Sequence, residues 1–418
     1  MIFGLLRQAA ANIWRYKLRS FLTMFGIAWG ISSLVLMSAL CDGFRQGWAK
    51  NVKQLGDQIV MVWGGRTERV AEGQPAGRRI RLNEDDVQTI RAQCKLVTVV
   101  AGEVKRHETP VVSDFNAGRF LVLGVTPEYL ELRNLPSSAG RAINTSDVAV
   151  GQRVCVLGHS VRKQIFPDGR DPIGLTVRIN NYPYKVVGHM SEKEQNSSYD
   201  GWDNEKVLIP ATSLRRDCPP IHPTYRDGQV DAVIYRPVSA DQWEDAQKQV
   251  RRLVGALHNF DPDYAAALPM WDTIESVRRW GEIFNATEIF LAVISIITMT
   301  LGGVGVMNTM MMAVAERTSE VGLRKALGAT SHRILTDFFL EGVFLALLSG
   351  LGGLSLVWLL TTVVNALPMP VGFAGLPLNF STVALAAAAL GSVAVLSALP
   401  PAWHAAELTP VEALGFER

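Results

Sequence analysis

Three long apolar stretches interrupt the polar pattern of the chain. Residues 21–40, 289–315 and 342–406 contain no Asp, Glu, Lys or Arg. A helix needs about 20 apolar residues to cross the hydrocarbon core of a bilayer, so the first two stretches can each hold one spanning helix and the third can hold two. The pattern predicts four transmembrane helices, and these cover residues 20–41, 285–314, 334–367 and 381–401.

The polar region 42–284, between the first two of these helices, carries both strand and helix patterns. Runs rich in β-branched and aromatic residues predict strands at 58–63, 96–105, 119–125, 153–157, 176–179, 184–190, 206–209 and 230–235. Helical spacing of apolar residues predicts helices at 83–93, 160–166 and 240–257. Asn83 can cap the first of these helices, and the pair Asn180-Asn181 predicts a hairpin turn. The predicted fold class is therefore membrane α-helical, with four transmembrane helices, plus a mixed α+β two-lobed extracytoplasmic domain inserted between helices 1 and 2.

Positive charge in the short loops predicts how the chain crosses the membrane. Four basic residues and no acids precede the first helix, four basic residues lie in the segment 315–333, and the link 368–380 has none. Because cytoplasmic loops are enriched in Lys and Arg, we expect the N-terminus, the segment 315–333 and the tail 402–418 in the cytoplasm, and 42–284 outside. Apolar residues at helical spacing in 1–19 predict a cytoplasmic interfacial helix, and an ordinary basic flank is the open alternative.

The segment 315–333 is a short charged stretch between two long apolar ones. Its apolar side chains share one face of a predicted short helix: Val321, Leu323, Ala326 and Leu327. Gly328 can end this helix in a left-handed turn, and Thr330 or Ser331 can cap the next membrane helix. A solvated loop has no need of an apolar face, whereas docking into a groove on a partner does. The pattern therefore predicts a docking segment.

Small and acidic residues mark two further features of the membrane helices. Small side chains let helices approach closely, and they occur at Gly302, Gly303 and Gly305, at Gly350, Gly352 and Gly353, and at Ala384 and Ala386 to Ala389. Asp337 and Glu341 lie one turn apart near the start of the third helix. An intramembrane acid is a functional candidate, but we favour an interfacial pair that anchors the helix or meets a neighbouring helix.

Several chemistries are excluded or weak. A net charge of +2 does not indicate a nucleic-acid partner. The chain has no GxxxxGK[ST], HExxH or GxSxG motif, so we expect neither ATP binding by a P-loop nor enzymatic activity. Two spaced pairs, Cys155 with His159 and Cys218 with His222, are too isolated to predict a metal site. One disulfide among Cys94, Cys155 and Cys218 stays open, because these residues would face an oxidising compartment.

Four stretches together resemble the MacB/FtsX family of ABC transporter permeases, which have four membrane helices and a large extracytoplasmic domain between the first two. NIWRYKLRSFLTMFGIAWGI is similar to the opening of the family. LGVTPEYLELRNLPSSAGRAINTSDVAVGQRVCVLGHSVRKQIF is similar to its periplasmic core, and PAWHAAELTPVEAL to its C-terminal pattern. The most specific match is ERTSEVGLRKALGAT, which resembles the cytoplasmic segment between helices two and three. The chain departs from the family at His404, Glu407 and Gly415, where basic residues are common.

The resemblance implies that the segment 315–333 is the coupling segment that meets a cytoplasmic ATPase. The implied ATPase-coupling residues are Glu316, Arg317, Glu320, Gly322, Leu323, Arg324, Lys325 and Gly328. ATP and Mg would be bound by a separate dimer of ABC ATPase subunits, and a second permease copy or a similar permease would complete the assembly. The implied location is the inner membrane of a bacterial cell.

The resemblance also limits the functions that we consider for the chain. The middles of the predicted membrane helices carry no charge, which favours mechanotransmission: ATP hydrolysis changes the outer domain, and cargo is handled outside. We expect export of a drug, peptide or other cargo from the periplasm. A lipoprotein-release permease and an FtsX-like regulator of an extracytoplasmic cell-wall enzyme are the open alternatives. Whether a periplasmic adaptor and an outer-membrane channel take part is also open.

Overall fold

A computed structural model describes residues 17–67, 77–135, 137–167, 169–195, 198–220 and 225–415. It consists of two compact units, which are Met1–Gly47 with Trp280–Arg418 and Trp48–Arg279. We call the first the membrane unit and the second the inserted domain. The predicted interfacial helix 1–19 lies almost wholly outside the described residues.

Twelve α-helices and ten strands occur in the described part of the chain. The helices are α1 (Lys17–Leu55), α2 (Glu84–Gln93), α3 (Pro127–Leu132), α4 (Thr145–Val150), α5 (His159–Ile165), α6 (Ala211–Asp217), α7 (Trp243–His258), α8 (Thr273–Glu316), α9 (Thr318–Ala326), α10 (Ser331–Asn365), α11 (Phe380–Glu407) and α12 (Pro410–Gly415). The strands are β1 (Val60–Val62), β2 (Val97–Val112), β3 (Ala117–Val125), β4 (Ser137–Gly140), β5 (Val154–Leu157), β6 (Thr176–Ile179), β7 (Tyr182–Met190), β8 (Lys206–Pro210), β9 (Ala232–Pro237) and β10 (Met270–Asp272).

Four helices in the described residues, α1, α8, α10 and α11, are long and apolar enough to cross a membrane. Their glycines set how closely they pack. A β-carbon on Gly302 of α8 would lie 2.6 Å from the Ile27 amide nitrogen of α1, and one on Gly303 would lie 2.6 Å from Cγ1 of Val393 in α11. Only glycine permits such approaches, so α8 lies close to α1 at Gly302 and to α11 at Gly303.

The third membrane helix packs through glycines in the same way. A β-carbon on Gly350 would lie 2.3 Å from Cδ2 of Leu390, and one on Gly353 would lie 2.6 Å from the Ala28 carbonyl oxygen. Gly305 is less crowded, with Thr23 Cγ2 at 3.3 Å. At Gly352 no described atom lies within 4 Å, so the expectation of close packing is wrong for that residue.

The inserted domain is built on one mixed sheet with the order β10-β1-β9-β2-β3-β8-β5-β7-β4, and β6 pairs with both β2 and β7. The first part of β2 pairs with β9, from Val97 to Glu103. The second part pairs with β3, from Val104 to Val112. The two predicted lobes are therefore two halves of a sheet that share one 16-residue strand.

Alternation along the strands gives this sheet a core on each face. Val60 and Val62 of β1 belong to the core that packs under α2 and α7, whereas Met61 points into the second core. The second core also holds Leu55, the last residue of α1, and Tyr129 of α3. The end of α1 is thus part of the interior of the inserted domain.

Two local predictions are confirmed in atomic detail. The Asp86 amide donates to the Asn83 side chain at 2.9 Å and the Asn83 amide to the Asp86 carboxylate at 2.8 Å, so α2 begins with a capping box. Asn180 and Asn181 have φ of 47° and 69°, the paired left-handed values that a two-residue hairpin turn between β6 and β7 requires. In both cases the signal lies within a few neighbouring residues.

Other expectations need correction. The strands β4 and β10 and the helices α3, α4 and α6 lack predicted counterparts, and β2 extends to Val112 rather than ending at residue 105. All four cysteines of the chain fall within the described ranges, and all are buried and unpaired, so the disulfide left open does not form. Burial raises the pKa of the Cys94 thiol to about 11. His222 of the weak metal pairs lies outside the described residues.

Candidate functional site: the segment between the second and third membrane helices

The predicted docking segment folds into a short helix, α9, with defined ends. Thr318 donates its hydroxyl to the Val314 and Ala315 carbonyls at 3.1 and 2.9 Å, which holds the start of α9 against the end of α8. At the other end Gly328 has φ of +96°, and the Ala329 amide donates to the Arg324 carbonyl at 3.0 Å. This is the Schellman pattern, for which glycine is the favoured residue. Thr330 accepts from the Arg333 amide and caps α10, as predicted.

One face of α9 is largely exposed. Its members recur at helical spacing, and they are Glu320, Leu323, Arg324 and Leu327. Leu323 is 55% exposed and Leu327 is 80% exposed, although both are large and apolar. Arg324 and Glu320 form an ion pair of 2.5 Å across one turn. We call these four residues the docking face, because they offer apolar contact with a charged border.

The opposite face of α9 is packed inside the membrane unit. Val321 is 2% exposed, and a β-carbon on Gly322 would lie 2.4 Å from Cβ of Ala413 in α12. The predicted apolar face therefore splits, since Val321 turns inward while Leu323 and Leu327 turn outward. The reason is that α9 packs against α12 through its Val321 and Gly322 side only, which a single-helix pattern does not reveal.

Lys325 also faces inward rather than outward. Its ammonium donates to the carbonyls of Ala406 and Leu408 at 2.5 and 2.7 Å. The last carbonyls of α11 have no partners within their own helix, and a cation at a helix C-terminus is favourable. Lys325, expected as a polar contact to a partner, instead fastens α9 to the end of α11. Its partners follow it by more than 80 residues, so the local sequence does not reveal them.

The two acids of the third membrane helix meet basic partners beside α9. Arg317 pairs with Glu341 at 3.2 Å, and Arg333 pairs with Asp337 at 3.4 Å. The ion pair of Glu341 links α10 to the residue directly before α9, and the favoured interpretation, an interfacial pair that anchors the helix or meets a neighbouring helix, stays a prediction. The cavity beside Arg317, Asp337 and Glu341 measures about 20 Å³, about the space of one water, so it is too small for a ligand.

A second polar cluster, which sequence reasoning missed, ties three membrane helices together at the other end of the membrane unit. Arg45 of α1 pairs with Asp42 at 2.9 Å and with Glu288 of α8 at 3.0 Å. Ser38 donates to Glu288 at 2.7 Å, and the Asn379 side chain donates to Asp42 beside α11. In the sequence, this cluster is indicated only by charged residues that flank the apolar stretches.

The end of α1 and the start of α8 both belong to the inserted domain. We call Trp48 to Leu55 and Thr273 to Arg279 the stalk ends. The strands that adjoin them, β1 and β10, pair antiparallel, with Val60 opposite Asp272. The Ile59 amide donates to the Thr273 hydroxyl at 2.9 Å, and the Thr273 amide donates to the Ile59 carbonyl at 3.0 Å. Both stalk ends therefore adjoin the same pair of strands.

Comparison with known proteins gives a family for both units. The model of the MacB-like periplasmic core domain matches residues 20–253, more than half of the chain, and the model of the FtsX-like permease C-terminal domain matches residues 292–410. The uncharacterized ABC transporter permease YknZ of Bacillus subtilis is 27% identical over 99% of this chain and 98% of its own length. The macrolide export ATP-binding/permease protein MacB of Bdellovibrio bacteriovorus is 28% identical over 99% of this chain. The pyoverdine export ATP-binding/permease protein PvdT of Pseudomonas putida is 30% identical over 98%.

The chain spans 61% of that MacB and 59% of PvdT. Among solved structures, the extracellular domain of YknZ matches 51% of the chain with 16% identity and a TM-score of 0.41. The periplasmic region of MacB from Actinobacillus actinomycetemcomitans matches 55% with 16% identity and a TM-score of 0.43. Both TM-scores are below 0.5, and the assignment rests on the two family models. With its MacB-like periplasmic core domain and its FtsX-like C-terminal domain, the chain belongs to the MacB/FtsX family of ABC transporter permeases.

Proposed function

We propose that this permease couples ATP hydrolysis by a cytoplasmic dimer of ABC ATPase subunits to conformational change in the inserted domain, and that the change drives export of a cargo from the periplasm. The observation that carries the proposal is the docking face of α9. Leu323 and Leu327 are exposed on it, while the opposite face of the same helix contacts α12 through Gly322 and the end of α11 through Lys325. ATP and Mg are bound by the ATPase, which pushes on the docking face when it closes.

The proposed orientation follows the positive charge. Arg324 and Lys325 lie in α9 and Arg317 and Arg333 flank it, so α9 and both termini are placed in the cytoplasm and the inserted domain in the periplasm. The membrane is then the inner membrane of a bacterial cell. The MacB and PvdT relatives are named as export proteins with an ATP-binding part, which supports export with ATP as the energy source.

The proposed route of force is the helix α8. It contains 44 residues, which at about 1.5 Å per residue give about 66 Å, more than the roughly 30 Å of a bilayer core. One end of α8 adjoins α9, and the other end begins at Thr273, which is hydrogen-bonded to Ile59. A helix is stiff along its axis, so a push on α9 acts on the paired strands β1 and β10.

Substitution of Leu327 by aspartate tests the docking face. We expect the variant to fold and insert normally, because the side chain is 80% exposed. We expect the ATPase no longer to co-purify with it, and the permease-dependent change in the rate of ATP hydrolysis to become at least about tenfold smaller. Co-purification from native membranes and ATPase assays in proteoliposomes measure both effects. Val150→Asp is the matched control, since Val150 is 75% exposed in the inserted domain. Full coupling in Leu327→Asp would refute the proposed role of α9.

A second copy of this chain is the proposed partner within the membrane. A groove of about 510 Å³ between α1 and α8 is lined by Gly26, Gly302 and Gly305, with Asn308 at its edge. Asn308 is exposed, and its amide has no hydrogen-bond partner among the described residues. It lies eight residues, about 12 Å, from the end of α8, within the hydrocarbon region. An amide both donates and accepts, so two copies of Asn308 related by a two-fold axis satisfy each other.

Replacement of Asn308 by leucine tests this pairing. We expect self-association in bilayers to weaken about fivefold for each interhelical hydrogen bond lost, which corresponds to about 1 kcal/mol. Energy transfer between labelled copies at increasing lipid dilution measures the association. Ser355→Leu is the control, because Ser355 is exposed on α10 but already donates to the Leu351 carbonyl at 2.7 Å. Equal association of both variants and the wild type would exclude Asn308 from the interface.

A further inference from the structure

A fully buried arginine joins the end of α1 to the connection between β7 and β8. This connection contains residues 191–195 and 198–205 in the described chain, and we call these two parts the strap. Arg133, directly after α3, is 0% exposed and touches both the stalk end and the strap. We propose that Arg133 is a positioning residue that transmits displacement of the first stalk end to the strap, so that the strap is where the periplasmic surface responds.

The first contact of Arg133 is with the stalk end. Its guanidinium donates to the carbonyl of Leu55, the last residue of α1. The final carbonyls of a helix lack partners within it, so a buried cationic donor satisfies both the hydrogen bond and the helix dipole. The chain turns immediately afterwards at Gly56, where φ is +152° and a β-carbon would lie 2.6 Å from the Leu132 carbonyl. The stalk end is therefore seated directly against α3 and Arg133.

The second contact of Arg133 is with Asp203 of the strap. Nη2 of Arg133 lies 2.9 Å from the Asp203 carboxylate, which also accepts from Lys193 at 2.9 Å and from Lys206 at 2.8 Å. Burial alone would raise the pKa of Asp203, but Arg133, Lys206 and Lys193 together hold it well below its usual range. Asp203 thus stays ionised at the centre of three cations.

Aromatic and backbone contacts also connect Arg133 to the strap. The Arg133 guanidinium lies over the ring of Tyr199 at 4.7 Å, and the Tyr199 hydroxyl donates to the buried carboxylate of Glu103. Lys193 donates to the backbone carbonyl of Arg133 at 3.1 Å. Both described parts of the strap therefore contact the arginine that caps α1.

The contacts of Arg133 with Leu55 and Asp203 respond to displacement because the charged groups are buried away from water. Arg133, Asp203 and Lys206 each have side chains at most 1% exposed, so separating any pair would leave an uncompensated charge away from water. Nε of Arg133 is already buried without an acceptor among the described residues. If the Leu55 carbonyl moves, the guanidinium has no water to replace it and must follow, and Asp203 must follow the guanidinium. A packed ionic cluster of this kind shifts between discrete arrangements rather than deforming gradually.

The consequence lies at the surface of the strap. Trp202, next to Asp203, is 42% exposed, so a shift of Asp203 repositions a large apolar side chain on the outer face of the domain. This inference rests on the proposed function, because ATP hydrolysis is what displaces the first stalk end.

Hydrogen exchange of the complete permease–ATPase complex tests the relay. We expect amides 198–205 to exchange about tenfold differently between the nucleotide-free complex and the complex with a non-hydrolysable ATP analogue, while amides in the paired parts of β2 and β9 do not change. In Arg133→Lys, which keeps the positive charge but loses the fork that bridges Leu55 and Asp203, we expect this difference to disappear while ATPase stimulation remains. Arg141→Lys is the matched control, because Arg141 also binds an aspartate with two nitrogens, at 2.5 and 3.0 Å from Asp147.

The wild-type measurement alone can overturn the relay, whether or not Arg133→Lys folds. Equal exchange of the strap in both nucleotide states, in a complex whose ATPase responds to the permease, would refute the relay and leave the proposed function standing. An ATP-dependent strap response that persists in Arg133→Lys would remove Arg133 from the route. Failure of the permease to bind any ATPase would refute both the relay and the proposed function.

Discussion

Replacement of Gly353 by leucine is expected to prevent the membrane unit from assembling. A β-carbon at this position would lie 2.6 Å from the carbonyl oxygen and 3.1 Å from Cα of Ala28. These are backbone atoms of α1, which cannot rotate away as a side chain can. Overpacking of a well-packed site costs about 3 kcal/mol at the upper end of the usual range, and a clash with a helix backbone belongs at that end.

The adjacent residue supplies the control for this substitution. Gly352→Leu makes the same chemical change on the same helix, but no described atom lies within 4 Å of its β-carbon position. We expect Gly352→Leu to behave like the wild type in size-exclusion chromatography and thermal unfolding in detergent, and Gly353→Leu to aggregate or melt at a clearly lower temperature. Equal stability of the two variants would mean that α1 and α10 do not pack as described.

Replacement of Gly322 by leucine is expected to uncouple the ATPase without affecting membrane insertion. The new side chain would enter the space of Ala413, whose Cβ lies 2.4 Å from the β-carbon position. The helix α9 would be pushed away from α12, and the bonds from Lys325 to the end of α11 would break. The docking face keeps all its residues but loses its support, so we expect ATPase stimulation to fall by at least about tenfold, as for loss of a central interface contact.

A swap of the two small residues separates this mechanism from general damage. Gly322→Ala moves a methyl group into the contact, and Ala413→Gly in the same chain removes the methyl group that it meets. We expect the single Gly322→Ala variant to lose part of the ATPase stimulation and the double variant to regain it. Gly391→Leu is the control for a bulky residue in an open helical position, since no described atom lies within 4 Å of Gly391. Full stimulation in Gly322→Leu would show that α9 needs no support from α12.

The features that could be predicted from the sequence are those whose cause is local. An apolar run that is long enough to cross a membrane must be helical there, because hydrocarbon offers no partners for unpaired backbone groups, so four helices follow from the apolar pattern alone. Asn83 with Asp86, the pair Asn180-Asn181 and the left-handed Gly328 each act on their immediate neighbours. The capped helix α2 and the turn at Asn180-Asn181 lie where the sequence predicts them, whereas α1 continues to Leu55 and α8 begins at Thr273, well beyond the predicted ranges 20–41 and 285–314.

The features that were missed depend on residues distant in the chain. Lys325 binds carbonyls at 406 and 408, and Arg133 joins Leu55 to Asp203, so none of these contacts has a signature in a short window. The strand β4 contains only serine, alanine and glycine, which have low strand propensity, and it forms because β7 offers it hydrogen bonds. Tertiary partners, rather than intrinsic preference, determine these elements.

The paired strands β1 and β10 make the inserted domain a replaceable module. Both crossings between the domain and the membrane unit end at one antiparallel pair, in which opposite Cα atoms lie about 5 Å apart. A segment whose two ends are neighbours can be inserted into a host or exchanged without moving the host elements. Periplasmic domains of different size and specificity can therefore be carried on the same four-helix unit, and a two-residue turn between residues 59 and 273 would close the chain without the domain.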